Sequence, residues 1–172
     1  MIVQLMTSLL IISFIIQLAY YFFVFSGVLF YKDTNNKKKH PPVSVIISSR
    51  NDALNLSSFL PFVVKQNYPV FEVIVMNDGS DDNTNEVLSN LSDKYNNLKF
   101  FESGNKKGNK KQSLTEAIKK ARYDYLLFTD SDCRPVSDKW IKNMISRYDD
   151  DTEIVIGYGG YETHKTFLNN MI

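Results

Sequence analysis

Short apolar runs alternate with stretches whose apolar residues recur at helical spacing along most of the chain after residue 42. Short runs rich in β-branched and aromatic side chains are typical of strands. They predict five strands, at residues 43–47, 71–76, 98–101, 125–128 and 154–156. Because helical stretches separate these runs, the pattern predicts an α/β fold with a mostly parallel sheet and helices on both of its faces.

Four helices are predicted between the strands, and local signals mark where they begin. Pro61 would break a helix interior, so the first helix either starts near this residue or bends there. Asn83 and Asn109 are each followed, three residues later, by a Glu or a Gln, which is the spacing of a capping box. The last helix follows Pro135 and has an apolar face formed by Trp140, Ile141, Met144, Ile145 and Tyr148. The helix starts therefore coincide with the polar segments after the strands.

Three polar clusters occur where predicted strands end, at residues 48–52, 77–82 and 130–132. Because the carboxyl ends of parallel strands lie at one edge of the sheet, these clusters should converge there. The strand before the third cluster is continuously apolar, which favours burial on both faces, and a carboxylate inside such a sheet would be costly. Asp130 and Asp132 are therefore expected just beyond the end of that strand.

Asp130 and Asp132 offer hard oxygen ligands one residue apart on a predicted turn. Mg²⁺ and Mn²⁺ bind such carboxylates when phosphates supply the other ligands. The alternative is an acidic turn that caps the following helix. At this point the residues alone leave both interpretations open.

Asp78 follows the second strand and precedes Gly79, a residue suited to a tight turn. Its carboxylate can accept a hydrogen bond from a nucleobase N–H or a ribose hydroxyl. Because it comes too early to cap the next helix, we favour a ligand role over a capping role. Arg50 follows the first strand, where contact with a phosphate and pairing with Asp52 are equally good interpretations.

Four lysines form a positive patch near the start of the third helix: Lys106, Lys107, Lys110 and Lys111. Lysine in a first helical turn is unfavourable to the helix dipole, so an anionic ligand is an attractive explanation, although a solvated face accounts for at least two of the four. Cys133 is the only cysteine. We interpret it as a small packing residue, because zinc sites use several soft ligands and none lies near it in sequence.

Residues 1–31 contain no Asp, Glu, Lys or Arg. At about 1.5 Å per residue, this segment is long enough as a helix to cross a hydrocarbon core of roughly 30 Å. The alternative is a cleaved signal peptide, which needs a positive start and a shorter apolar core than this one. We therefore predict an uncleaved transmembrane anchor over residues 1–31.

Lys32 and the three lysines at 37–39 follow this anchor directly. The positive-inside rule then places the N-terminus outside and the remainder in the cytoplasm. Residues 32–42 predict a basic linker, and residues 43–172 remain for one soluble domain. The 20 basic and 19 acidic residues give a net charge of +1, which argues against a nucleic-acid partner.

Four segments together resemble the ordered motifs of family 2 glycosyltransferases: residues 43–52, the turn at 77–80, residues 108–117 and the Asp-Ser-Asp at 130–132. The resemblance covers nearly all of the predicted soluble domain. It implies the GT-A fold, a nucleotide-sugar donor such as a UDP- or GDP-sugar, and Mg²⁺ or Mn²⁺ as cofactor. It further implies inverting sugar transfer, which the predicted membrane topology would place at the cytoplasmic face. A lipid or a polysaccharide acceptor is compatible with this placement.

The resemblance also implies roles for individual residues. Asp78 would contact the nucleobase, and Asp130 and Asp132 form the DXD motif, whose last Asp coordinates the metal. Contacts with the donor are implied for Ser48, Arg50, Asp52, Asp78, Lys110 and Asp130, and metal binding for Asp130 and Asp132.

The family's later acidic motif, which supplies the catalytic base, has no match after Gly160. We therefore expect the base to lie beyond Ile172 and the chain to represent the donor half of an enzyme. A catalytically inactive nucleotide-binding membrane protein is an alternative. A nucleotidyltransferase ranks third, because residues 48–55 lack the glycine that such enzymes have after the first strand.

Overall fold

The computed structural model describes residues 2–29, 40–104, 109–149 and 151–160. Several predicted features lie outside these residues, namely most of the basic linker, the part of the lysine patch at 106–107, and everything after residue 160. The chain divides into two compact units, Met1–Asn35 and Asn36–Ile172.

In the first unit the structure describes one helix, α1, over Ile2–Leu29. Its segment Ile2–Gly27 has a mean hydropathy of 2.2, so by length and composition the helix can cross a membrane. The hydroxyls of Thr7 and Ser8 donate hydrogen bonds to the carbonyl groups four residues earlier, at 2.8 and 2.9 Å. These bonds satisfy polar groups that an apolar environment would leave without water.

The described part of the second unit is built on four parallel strands in the order β3-β2-β1-β4. Their bounds are Val43–Ser49 for β1, Phe71–Asn77 for β2, Leu98–Glu102 for β3 and Tyr125–Phe128 for β4. Each pairing is parallel, so the carboxyl ends of all four strands lie at the same edge. Four of the five predicted strands are therefore confirmed.

Four helices cover both faces of this sheet: α2 at Ala53–Val64, α3 at Thr84–Lys94, α4 at Lys110–Lys120 and α5 at Trp140–Ile145. Side chains alternate along β1, because successive residues of a strand point to opposite faces. Val45 and Ile47 belong to the larger core cluster, which includes apolar residues of α2, α3 and α5. Ile46 belongs to the smaller cluster with Ala117 of α4. The predicted α/β layering is confirmed.

Two strand predictions are wrong. β4 is not buried on both faces, because it is an edge strand of the described sheet and its Tyr125 and Phe128 are 36% and 49% exposed. Residues 154–156 form no strand in the described part of the chain, and Ile154 and Ile156 are 76% and 91% exposed. An apolar run forms a strand only where a neighbouring strand can satisfy its backbone.

The helix starts partly match the predictions. Asn109 caps α4, since its side chain accepts a hydrogen bond from the backbone N–H of Gln112. Asn83 occupies the capping position of α3 but makes no capping hydrogen bond. The neighbouring Asp82 accepts hydrogen bonds from the N–H groups of Thr84 and of Ala53 in α2, at 3.0 and 3.3 Å. An ionised carboxylate is the stronger acceptor, so it replaces the predicted amide cap.

Of the two alternatives predicted for Pro61, a helix start is excluded, because α2 begins at Ala53 and includes this proline.

A buried carboxylate connects the sheet to the segment before β4. Glu72 is 5% exposed. Its Oε1 accepts hydrogen bonds from Ser44 Oγ at 2.9 Å and Arg122 N at 2.7 Å, and its Oε2 accepts one from Lys99 Nζ at 3.0 Å. Burial raises the pKa of this carboxyl, but the hydrogen bonds from Arg122, Lys99 and Ser44 outweigh it, so the pKa lies below its ordinary value of 4.5. The network therefore stabilises the fold with an ionised Glu72.

Glu72→Gln should lower the free energy of unfolding at neutral pH by about 2 kcal/mol, because the amide brings an NH₂ group against donors that need an acceptor. Since the pKa is lower in the folded state, the contribution of the carboxylate is complete above the unfolded value and is lost as the pH falls through the folded pKa. The difference between wild type and variant should therefore shrink at acid pH. Urea unfolding followed by the fluorescence of Trp140, the only tryptophan, measures both effects.

The exposed Glu153 provides a matched control, because the same substitution there should change stability by less than about 0.5 kcal/mol. Equal effects of Glu72→Gln and Glu153→Gln, or a difference that does not change with pH, would contradict the proposed contribution of Glu72.

Candidate functional site

A cleft of about 430 Å³ opens at the carboxyl edge of the sheet. All the described residues that line it are polar or charged: Ser48, Ser49, Arg50, Asp52, Asp78, Lys110, Asp130, Ser131 and Asp132. Every one of the seven site residues predicted from the sequence is among them. The structure thus brings together residues that are more than eighty positions apart in sequence.

The strand register explains why these residues meet. Ser49 at the end of β1 pairs with Asn77 at the end of β2, and the ladder continues as Asp78 N donates to Ser49 O at 2.8 Å. On the other side of β1, Thr129 N donates to Ile46 O at 3.2 Å. The segments that begin at Asp78 and at Thr129 therefore leave the sheet on either side of the end of β1.

Asp78 is held at the base of the cleft and is only 4% exposed. Gly79 has a φ of 69°, a left-handed conformation that glycine adopts without strain, and this turn lets the chain leave β2 abruptly. Asp78 Oδ2 accepts a hydrogen bond from Asn109 N at 2.6 Å. Its buried Oδ1 accepts none from the residues that the structure describes. A buried carboxyl oxygen without a donor is costly, so this atom is suited to a ligand N–H or O–H group.

The loops after β1 and β2 are linked to each other through Asn51. This residue has a φ of 53°, which an asparagine tolerates better than most residues. Its backbone N–H donates to Ser80 Oγ at 2.9 Å, and its Oδ1 accepts from Asp81 N at 2.8 Å. Arg50, just before it, lies exposed at the cleft. This role of Asn51 was not predicted from the sequence, although asparagine in a loop after a strand is a recognised signal for a left-handed turn.

Asp52 connects the loop after β1 to the turn at residues 130–133, after β4, which we call the acidic turn. Its Oδ2 accepts a hydrogen bond from Ser131 Oγ at 2.6 Å, and its backbone N–H donates to Thr84 Oγ1 at 3.2 Å. Ser131 is the buried residue between the two predicted metal ligands. The side chain of Asp52 therefore positions the acidic turn, a role that sequence reasoning did not predict for either residue.

Asp130, Asp132 and Cys133 form a compact group whose potential ligand atoms all lie within 4.8 Å of one another. The Cys133 thiol donates to Asp132 Oδ1 at 3.6 Å. Cys133 is exposed, so its interpretation as a packing residue is wrong. Partial burial of the thiol and the negative charge of Asp132 raise the pKa of Cys133 above its ordinary value.

The two exposed carboxylates of this group fit Mg²⁺ or Mn²⁺, because they supply hard oxygen ligands and leave room for oxygens of a bound ligand. Lys110, the first residue of α4, places its Nζ 2.6 Å from Asp130 Oδ1. This hydrogen bond raises the pKa of Lys110. The acidic turn therefore already attracts a positive charge from within the chain.

Ser48 and Ser113 share a hydrogen bond of 3.0 Å between their hydroxyl groups, which joins the end of β1 to α4. Ser49 Oγ is buried and has no hydrogen-bond partner among the described residues. Ser113 was not predicted to belong to the site. It lies on the inner side of α4, a position that depends on how this helix packs and not on the polar clusters that follow the strands.

Solved structures show which fold this arrangement represents. The mannosyltransferase PcManGT from Pyrobaculum calidifontis, in complex with GDP-Man and Mn²⁺, aligns over 78% of this chain and 40% of its own with a TM-score of 0.69 and 21% identity. S. aureus TarS 1–349 in complex with UDP aligns over 71% of this chain and 38% of its own, with a TM-score of 0.57 and 26% identity. The second unit thus has a GT-A fold.

Sequence comparisons identify the family. The profile described as Glycosyl transferase family 2 matches residues 44–171, which is most of the chain. Glycosyltransferase AglE of Haloferax volcanii is 34% identical over 108 residues, 62% of this chain and 35% of the relative. The poly-beta-1,6-N-acetyl-D-glucosamine synthase of Staphylococcus epidermidis is 31% identical over 125 residues, 70% of this chain and 29% of the relative. The chain belongs to glycosyl transferase family 2 and spans about a third of the length of these two relatives.

Proposed function

We propose that this protein binds a nucleotide-sugar donor in the cleft and transfers the sugar to an acceptor at the cytoplasmic face of a membrane. This proposal depends on one observation: the buried Asp78 lies in the same polar cleft as the acidic pair Asp130 and Asp132. Family membership supports sugar transfer, and two GT-A structures were solved with GDP-Man and with UDP.

In this proposal the carboxylates on the two sides of the cleft bind different parts of the donor. Asp78 Oδ1 accepts a hydrogen bond from the nucleobase, while Ser48 and Arg50 line the nucleotide side of the cleft. Asp130 and Asp132 hold Mg²⁺ or Mn²⁺, as their oxygen donors allow. When bound, the cation supplies positive charge that stabilises the leaving diphosphate.

Two further residues act on the diphosphate side. Asp52 fixes the acidic turn through Ser131. The Lys110 ammonium lies within reach of the diphosphate, because it already contacts Asp130 at the same turn. Inverting transfer also requires a base near the acceptor hydroxyl, and the proposal assigns that role to no residue of the described ranges.

A donor screen tests this proposal. The protein in native membranes is incubated with Mn²⁺ and a panel of radiolabelled UDP- and GDP-sugars, and both bound donor and labelled lipid or polysaccharide product are measured. We expect one nucleotide class to bind. Transfer of its sugar would show that a base is present in the protein as tested, whereas binding without transfer would agree with a donor cleft whose base lies outside the described residues. The absence of binding to every donor would refute the proposal.

For the first unit we propose a single-pass membrane anchor with its N-terminus outside. Helix α1 has the required length, and the lysines at residue 32 and residues 37–39 follow it. A fluorescent reporter fused after Ile172 should therefore fold in the cytoplasm, and an alkaline phosphatase fused there should be inactive. Replacing these four lysines with glutamine and adding lysines before Ile2 should weaken or reverse this orientation.

Export of the unmodified fusion, or its release by cleavage near residue 31, would contradict the anchor.

A further inference from the structure

The most informative contact in the cleft is the one between Lys110 and Asp130, because it places an ammonium group where a metal ligand is expected. Lys110 Nζ lies 2.6 Å from Asp130 Oδ1. Asp132 belongs to the same compact group of ligand atoms. One of the two carboxylates of the acidic pair is therefore already neutralised by a cation of the chain itself.

We propose that Lys110 acts as a cation placeholder, which opposes metal binding until a nucleotide diphosphate draws its ammonium away from Asp130. Nucleotide and metal then bind with positive coupling, and the metal binds weakly when the nucleotide is absent. This inference rests on the proposed function, since it concerns how the same cleft takes up its donor and its cation.

The backbone of Lys110 is fixed while its side chain can move. Asn109, directly before it, donates its backbone N–H to the buried Asp78 at 2.6 Å and caps α4 through its own side chain. The side chain of Lys110 is 64% exposed and that of Asp130 is 57% exposed. Exposed ion pairs are weak because water competes for both partners, so a ligand with more negative charge than Asp130 can attract this ammonium.

Electrostatics make the contact competitive with a metal ion. An ammonium and a divalent cation bound to the same carboxylate would lie only a few ångströms apart and repel each other. A diphosphate removes this conflict, because its oxygens can bind the ammonium and also coordinate the metal. By thermodynamic linkage, whatever the nucleotide adds to the affinity for the metal, the metal adds to the affinity for the nucleotide.

The chain offers a matched control for this proposal. Lys111 follows Lys110 in the first turn of α4, is exposed, and has no ion pair with the acidic turn among the described residues. Lys111→Gln removes the same unit of charge from the same helix end. A comparison of Lys110→Gln with Lys111→Gln therefore separates the effect of the contact from that of net charge.

The test measures Mn²⁺ binding to the full chain in detergent by the loss of the free-ion electron paramagnetic resonance signal, without nucleotide and with saturating UDP or GDP. We expect Lys110→Gln to bind Mn²⁺ alone about tenfold more tightly than wild type, since a nearby positive charge is removed. The nucleotide should then raise the affinity for Mn²⁺ less than it does in wild type. Lys111→Gln should behave as wild type in both measurements.

Three results would overturn the inference while leaving the proposed function intact. The first is an equal Mn²⁺ affinity of wild type and Lys110→Gln, and the second is an equal change in Mn²⁺ affinity in Lys110→Gln and Lys111→Gln. The third is a wild-type Mn²⁺ affinity that does not depend on the bound nucleotide. Failure of wild type to bind UDP or GDP would instead refute the proposed function, and the inference with it. Unfolding curves from Trp140 fluorescence confirm that each variant is folded, so that a loss of binding is not mistaken for a loss of structure.

Discussion

Asp132→Ala should make nucleotide binding independent of divalent metal. Wild type should bind UDP or GDP much more tightly with Mn²⁺ than with EDTA, because the acidic turn and the diphosphate share the cation. Loss of residues that only support a metal ligand typically costs about 10- to 100-fold in metal affinity, so loss of a direct ligand should cost about 100-fold or more. Isothermal titration calorimetry with and without metal measures this difference.

The control for this experiment is Asp124→Ala. Asp124 is an exposed carboxylate that directly precedes β4, at the opposite end of that strand from the acidic turn. Its substitution changes the net charge by the same amount and should leave binding unchanged. Metal-dependent nucleotide binding that persists in Asp132→Ala, or is lost equally in Asp124→Ala, would contradict the assignment of the acidic turn as a metal site.

Asp78→Ala should weaken nucleotide binding about 50-fold, and it should do so both with and without metal. A hydrogen bond to a charged group contributes about 1.5–3 kcal/mol, and the buried Oδ1 accepts none from the described residues. The substitution also removes the acceptor for Asn109 N, which fixes the start of α4. The same calorimetric titration checks this result, with EDTA and with Mn²⁺ in parallel.

Asp81→Ala is the matched control for Asp78→Ala. Asp81 lies three residues later in the same loop, is exposed, and does not line the cleft. Its substitution should leave the affinity for the nucleotide within about twofold of wild type, as for most exposed positions. Unchanged binding in Asp78→Ala, or an equal loss in Asp81→Ala, would show that Asp78 does not contact the nucleotide.

Much of the site could be predicted because it depends on local pattern and on one general property of parallel sheets. The apolar runs identified four strands, and polar residues just after three of them had to meet at one edge. Asp78, Asp130 and Asp132 were therefore placed in the same cleft from the sequence alone. Their spacing within each turn also required no knowledge of the tertiary structure.

What could not be predicted depends on which elements become neighbours. An apolar run such as β4 indicates a strand but not its position in the sheet, so burial on both faces was expected for what is an edge strand of the described sheet. The interaction of Asp52 with Ser131 joins residues 79 positions apart. Glu72 was visible as one acidic residue in an apolar run, yet its three donors come from different segments.

The exposure of Cys133 is another feature that the sequence did not predict. A packing role was predicted because zinc sites use several soft ligands and none lies near this cysteine in sequence. Its exposure follows from its place in the acidic turn, where Cys133 N donates to Asp130 O at 3.2 Å. The contact between Lys110 and Asp130 was also hidden, because it depends on how α4 packs against the sheet.

The most direct test of the account is a crystal structure of the protein grown with Mn²⁺ and the nucleotide that binds more tightly, with anomalous scattering recorded at the manganese edge. We predict an anomalous peak between the carboxylates of Asp132 and Asp130, a nucleobase hydrogen bond to Asp78 Oδ1, and Lys110 moved from Asp130 to the diphosphate. An anomalous peak away from the acidic turn, or a nucleobase bound out of reach of Asp78, would contradict the account.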